Sequence, residues 1–470
     1  MLDARCSLPL SNASLSVGDG RCILEAVIGA VDEVFHAMKF AIAVHGTRGD
    51  VEPAAALALE LQRRGHQVSI AVPPNLVGFV ESAGLFPAIG YGPDSQKQVE
   101  SEVFREWWKL RNPIAALRQA RAYVVEGWAG MGETLAEVAA GAQLIVSGTT
   151  YQEVAANVAE AQGVPLAALH YFPFRANAHI LPVRLPEPLV GGLWAGAEWA
   201  HWRLLKPADD AQRRSLGLPA SRTRAVRRMI EQGTLEIQAY DPLFFPGLAE
   251  AWRGKRPVVG GLGLDRPTPA DASVRAWIDA GPPPIHFGFG SMMIGNARAT
   301  CAMMIAACRD LGERALIVSG RLALDDVAST HEVMVVPAVN HADIFPRCKA
   351  IVHHGGAGTV MASVRSGKPT LVLWVGADQP VWAAQVRRLG VGTSRRLSAT
   401  TPATLRADLQ TVLAPACAAK ARDAALRMTP LRDSLSAAAD LLEDRAARHA
   451  PGLTASRDDA RRTMGGQACG

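Results

Sequence analysis

A chain of 470 residues, 49% of them apolar, has material for two or three domains with large cores. Its formal charge of +5, from 49 basic and 44 acidic side chains, is too mild to indicate nucleic acid as a partner. Seven scattered cysteines without C-x-x-C or Cys/His ligand spacing argue against a metal centre or disulfide framework and fit a reducing, cytoplasmic setting, and no run reaches the ~18 apolar residues of a membrane span.

Residues 1–37 lack a basic n-region, and Glu25 interrupts their best apolar run, so they make a poor signal peptide. They are expected to be a disordered extension from an upstream translation start. A short amphipathic helix over Ile23–Phe35 is the alternative. Met38-Lys39 leads into a strand at Phe40–Val44 and the loop His45-Gly46-Thr47-Arg48-Gly49-Asp50. An alanine- and leucine-rich helix to Arg64, closed by Gly65, and a strand at Gln67–Val72 complete a βαβ unit. The loop lacks G-x-G-x-x-G spacing, and Pro73-Pro74 stand where a ribose-binding acid belongs, which excludes a dinucleotide site. Asp50, at the start of the helix, reads on its own as a cap.

Trp107, Trp108 and Trp128 have the spacing of side chains that pack helices onto a sheet. A strand at Leu144–Ser147, a helix over Tyr151–Gln162 and a strand at Val164–Leu169 follow. His170 then falls at a strand end, either as a structural histidine or as an acceptor-side residue. Trp194, Trp199 and Trp202 mark a helix that either covers the core or meets a lipid-linked acceptor. Ala211–Arg228 reads as a solvated basic helix. A strand at Leu235–Ala239 ends the first half, and residues 256–270 read as a linker.

The second half restarts with a strand at Pro284–Gly290, a turn at Ser291, a helix around Arg298–Leu311, and strands at Ala315–Ser319 and Val333–Pro337. The strand Ala350–Val352 runs into His353, His354, Gly355, Gly356, Gly358 and Thr359. A glycine-rich turn entering a helix brings backbone amides close to an anion. The next strand, Thr370–Val375, ends at Asp378-Gln379. Carboxyl ends of parallel strands face the ligand crevice, so these elements surround one site suited to a diphosphate with a hydroxylated group. Residues after Arg445 carry no apolar pattern and are expected to be disordered. The fold class is α/β: two doubly wound parallel-sheet domains, 38–255 and 271–444, around a cleft.

The segment Val336–Gly392, with HHGGAGT and DQ in register, resembles the nucleotide-sugar signature of the inverting, GT-B fold glycosyltransferases of family one. GTRGD resembles the matching loop of their bacterial members. The resemblance covers about Met38 to Asp444 and implies two Rossmann-like domains, acceptor side first. It implies that Asp50 is the acceptor-activating base and that Ser291, His354, Gly356, Gly358 and Thr359 bind the nucleotide diphosphate. Asp378 and Gln379 would contact the sugar, Pro337–His341 the nucleobase, and Thr47 and His170 the acceptor, while His353 packs or supports its neighbour. Met292-Met293 depart from related sequences, which often carry proline at the second position. No D-x-D is present, so helix dipole, amides and His354 stand in for a metal, and no cofactor beyond the nucleotide-sugar co-substrate is expected.

AVPPNLVGFVESAGL and YQEVAANVAEAQGVPLAALH are similar to mycobacterial glycopeptidolipid glycosyltransferases. That similarity implies rhamnose, 6-deoxytalose or glucose placed on a lipid-like or lipopeptide acceptor of the cell envelope, with peripheral contact at the inner face of the membrane. The competing readings are an inactive auxiliary partner of such an enzyme, and a sugar-nucleotide epimerase, whose dinucleotide fingerprint is missing.

Overall fold

The computed structural model describes residues 37–100, 122, 125–180, 186–290, 292, 296–320, 322, 324 and 327–449. Ser291, Met293, Trp107 and Trp108, and the calls on residues 1–36 and 450–470, lie outside the described residues.

Two six-stranded sheets carry the fold, and every strand pair is parallel. The first comprises β1 (Lys39–Ala43), β2 (Gln67–Val72), β3 (Ala88–Gly90), β4 (Leu144–Ser147), β5 (Leu166–His170) and β6 (Leu235–Gln238), in the order 3-2-1-4-5-6. The second comprises β7 (Ile285–Gly288), β8 (Ala315–Val318), β9 (Val333–Val336), β10 (Ala350–His353), β11 (Thr370–Trp374) and β12 (Gly392–Arg396), in the order 12-11-10-7-8-9. β1, β4 and β5 are buried along nearly their whole length, as strands covered on both faces must be. The short β3 and the polar β12 lie at sheet edges, where little apolar sequence is needed, and neither stands out in the sequence.

Helix α1 (Arg48–Arg63) shows how the layers close. Val51, Ala54, Ala55, Leu57, Ala58 and Leu61 recur at helical spacing and are fully buried against the first sheet. Two further helices cover the other face, α2 (Gln152–Gln162) and the long α3 (Glu187–Ser215). The expected solvated helix at Ala211–Arg228 is instead the end of α3, a turn and a second short helix. Its cations point inward. Arg213 bonds Asn157 and Glu160, and Arg228 bonds Asn157 and Asp209 in a buried network. Buried charges require such partners, and sequence polarity alone does not reveal them.

In the second half, α4 (Ala357–Arg365) follows β10 and α5 (Gln379–Leu389) follows β11. The last helix, α6 (Leu431–Ala447), crosses back to the first half. Ala438, Ala439, Leu442 and Ala446 join the core under α1, and Arg64 donates to Asp440, Glu443 and Ser436. The apolar side of α6 therefore belongs to the first half, although most of the helix falls within the expected second domain, and its last turn, with buried Ala446, orders residues expected to belong to a disordered tail. Trp382 of α5 makes a second tie. It is fully buried, with Phe172, Tyr240, Phe244 and Phe245 edge-on at 6.5, 6.2, 5.5 and 5.4 Å between ring centres.

Candidate active site at the two switch points

Strand order reverses between β1 and β4 in the first sheet and between β7 and β10 in the second. Connections leave such neighbours in opposite directions, which opens a crevice beyond their carboxyl ends. The loops after β1, β7 and β10 are those that carry Asp50, Gly290 and His354.

After β1 the chain turns at Gly46, with φ +142°, and enters α1 with Thr47 as N-cap. Asp50 reaches back to accept from the Thr47 amide at 2.8 Å and the Thr47 hydroxyl at 3.1 Å. Both bonds fall on Oδ2, and among the described residues Oδ1 accepts none. Capping and proton abstraction are therefore compatible on one carboxylate. Any Cβ at Gly46 would sit 2.3 Å from Oδ2, so only glycine leaves room for this arrangement. Burial pushes the Asp50 pKa up to about 6, opposed by the Thr47 bonds and reinforced by the charge of Asp378. A base with that pKa is ionised at neutrality and still basic enough to take a proton.

At β10 the helix start is open. Gly356 occupies the N-cap of α4 without any capping side chain, and the first amides of a helix have no partner within it. Ala357, Gly358 and Thr359 thus form the first turn of the helix, where the dipole favours an anion. The His354 ring stands over this turn. A Cβ at Gly356 would lie 2.6 Å from its Nε2, and one at Gly290 3.2 Å from its Cε1. Among the described residues buried Nδ1 has no partner, and desolvation with His341 nearby lowers the pKa to about 4. The free imidazole is neutral. His353 is buried, takes the Gly355 amide on Nδ1 and meets Ser363 with Nε2, which is packing and loop support.

After β11, Ala377 adopts φ +56° and turns the chain toward Asp378. The Trp382 indole donates to Asp378 Oδ2 at 2.8 Å, while burial raises the Asp378 pKa. Gln379 is buried, and its Oε1 accepts the amides of Val375 and Gly376, so it holds the loop. Its Nε2 points to Met292 Sδ at 3.5 Å, which brings the turn after β7 beside the Asp378 loop.

His170 does not face the crevice. It is fully buried, with Gln152 on Nε2 at 2.8 Å and Gln238 on Nδ1 at 3.1 Å, and its pKa falls to about 3 by desolvation. A ring with both nitrogens engaged by core amides has nothing to offer an acceptor, so this candidate is corrected to a structural histidine. Thr47 likewise has its hydroxyl committed to Asp50. Gly46 and Trp382 were missed as site residues. Their signals were present in the loop glycine and in the tryptophan four residues beyond Asp378, but only spatial contact gives them meaning.

Residues 40–180 match the glycosyltransferase family 28 N-terminal domain, and residues 304–440 match the erythromycin biosynthesis protein CIII-like C-terminal domain. An uncharacterized glycosyltransferase of Mycobacterium tuberculosis is 55% identical over 413 residues, covering 87% of this chain and all of the relative. The chain belongs to the GT-B glycosyltransferases. At greater distance, the vancomycin aglycone glucosyltransferase of Amycolatopsis orientalis is 28% identical over 437 residues, spanning 89% of this chain and 100% of the relative. The solved glycosyltransferase VinC in complex with dTDP superposes with a TM-score of 0.62 at 21% identity, over 87% of this chain and 100% of that one. This glycosyltransferase shares with VinC the fold of two facing α/β halves.

Proposed function

We propose that this glycosyltransferase inverts the anomeric centre while moving a hexose or deoxyhexose, such as rhamnose, from a nucleoside diphosphate to a hydroxyl of a lipid-like or lipopeptide acceptor. This reading is supported by an uncapped helix start beneath the His354 ring and, on the helix α1 in contact with α4, a carboxylate with one oxygen that accepts no bond among the described residues. The diphosphate would lie on the first turn of α4, with Gly356, Gly358 and Thr359, beneath His354. Asp378 would hold sugar hydroxyls, and the acceptor would enter beside Asp50. In one displacement the acceptor O–H gives its proton to Asp50, its oxygen bonds the anomeric carbon, and the carbon–diphosphate bond breaks with its electron pair on the leaving group. Helix amides and His354 stabilise that developing charge. No cation is required for this.

The lipid-like acceptor is supported by α3, which exposes Leu189, Leu193 and Trp199 at 51%, 55% and 56%. Such a face suits an interfacial acceptor or peripheral membrane contact. Among the described residues no helix is long and apolar enough to cross a membrane.

Thermal unfolding with UDP, dTDP and GDP tests the donor half. The cognate diphosphate at 100 times its dissociation constant should stabilise the protein by about 2.7 kcal/mol. Indifference to all three would favour the inactive auxiliary reading. Turnover is expected to survive EDTA. Loss with chelator, restored by magnesium or manganese, would show that the diphosphate cradle needs a cation.

A further inference from the structure

The outward face of α3 changes character along its length. At 3.6 residues per turn, Leu189, Leu193, Arg203 and Arg214 fall on one face, with Trp199 and Lys206 along one side of it. Val190, Leu205 and Gln212, on the opposite face, are buried. From Pro188 to Trp202 the only acid is Glu198, and it is turned aside to Arg224 at 3.3 Å, so the outward face there is apolar. One turn beyond Trp199 the same face becomes a groove of about 500 Å³ whose lining includes Arg203, Lys206, Asp210 and Arg214. Lys206 bonds Asp210 at 2.7 Å and the Ser221 carbonyl at 2.9 Å, which neutralises the one acid in that lining. Among the described residues Arg203 and Arg214 pair with no acid, and Arg214 reaches only the Asp210 backbone carbonyl.

We propose that this groove binds the anionic headgroups of a lipid bilayer while the apolar half of the same face sits among the acyl chains. This rests on the peripheral contact proposed above and gives it a partner and an orientation. Guanidinium groups hydrogen-bond phosphate oxygens in pairs, and two of them without acid partners leave the groove positive. A soluble anion would engage the groove but has no use for Leu189 and Leu193, and a neutral apolar partner has none for the arginines. An anionic lipid surface matches both on one continuous face. Leu189 and Arg214 lie about 38 Å apart along the axis, so the contact takes in a patch of surface and not one lipid molecule. The Trp194 indole donates to the Asn177 carbonyl at 2.9 Å, which ties the apolar half to the loop leaving the carboxyl end of β5. That end of the sheet borders the crevice, so a docked bilayer lies beside the entry for the acceptor.

Co-sedimentation with vesicles tests this. Vesicles of phosphatidylcholine with phosphatidylglycerol should bind the wild type, less so as salt rises, and vesicles of phosphatidylcholine alone should bind at least tenfold more weakly. Arg203→Gln with Arg214→Gln should weaken binding to the anionic vesicles about thirtyfold, about fivefold for each cation at the surface, and leave the neutral ones unaffected. Leu189→Ser with Leu193→Ser should weaken both. All four side chains are exposed, so melting temperature and stabilisation by UDP or dTDP should not change. Glycerol 3-phosphate, the same phosphate chemistry in soluble form, should not displace the protein when matched to the lipid concentration. Equal binding to neutral and anionic vesicles, full binding by the arginine variant, or displacement by glycerol 3-phosphate would each overturn the headgroup site. Failure of the underlying contact shows separately, as a wild type that sediments with neither kind of vesicle.

Discussion

The two glycine-rich turns of this glycosyltransferase are built alike and finished differently. Each leaves a parallel strand at a switch point, enters a helix, and uses a glycine to admit one side chain, Gly46 for Asp50 and Gly356 for His354. At α1 a reciprocal Thr47–Asp50 cap satisfies the helix start from within. At α4 no side chain among the described residues does so. A capped helix start presents a fixed carboxylate, and an uncapped one presents free amides and a positive dipole. One local design thus yields a buried carboxylate at one helix start and open backbone amides at the other. Nothing but the identity of a few loop residues separates the two.

The largest break in that comparison is expected at the base. Asp50→Asn keeps the size and the capping bond but cannot take a proton, so transfer should fall by about 10²–10⁴ with nucleoside diphosphate affinity unchanged. Gly46→Ala should approach the same loss without touching the carboxylate chemically, because its Cβ and its φ of +142° both displace Oδ2. Steady-state kinetics beside calorimetric binding would show whether the defect is confined to transfer. Undiminished transfer in Asp50→Asn would reduce Asp50 to a cap.

On the opposite wall, His354→Ala should weaken the cognate diphosphate by roughly 1.5–3 kcal/mol, the value of a hydrogen bond to a charged group. The free ring titrates at about 4, and a diphosphate beside it raises that value. Binding therefore takes up protons, and affinity rises as pH falls from neutrality. Calorimetry in buffers of different ionisation enthalpy should show more proton uptake in the wild type than in His354→Gln. Equal uptake would mean that the His354 ring stays neutral when the diphosphate binds.

Much of this frame is legible in the chain because it is local. β1, β2, β4 and β5 announce themselves as apolar runs, and the glycine turns sit next to them in sequence. What stays hidden depends on long-range contact. His170 looks like a site residue at a strand end, and only Gln152 and Gln238, 18 and 68 residues away, show that it is a core group. The partner of Arg213 and Arg228 in their buried network, Asn157, lies more than 50 residues upstream. The return of α6 to the first half rests on pairs such as Arg64–Asp440, separated by 376 residues. Periodicity finds elements, but it does not say which neighbours complete them.

The smallest expected effect is also the one that separates the two duties of Asp50. Thr47→Ala removes the hydroxyl bond to Oδ2 and leaves the amide bond in place. As a cap, this should cost about 1 kcal/mol of stability, read from denaturant unfolding. As a base, Asp50 should respond in the pH profile. The Thr47 hydroxyl stabilises the carboxylate and so lowers its pKa, which stands at about 6 in its presence. Without it, the acid limb of kcat/KM moves to higher pH, because the base must be ionised and activity rises as pH climbs through its pKa. Transfer should then drop several-fold near pH 6 and little near pH 8, where both proteins are ionised. A stability loss with an unmoved acid limb would leave Thr47 as a cap residue only and would place the titrating base elsewhere. A moved limb would tie the proton to Asp50 without removing its carboxylate.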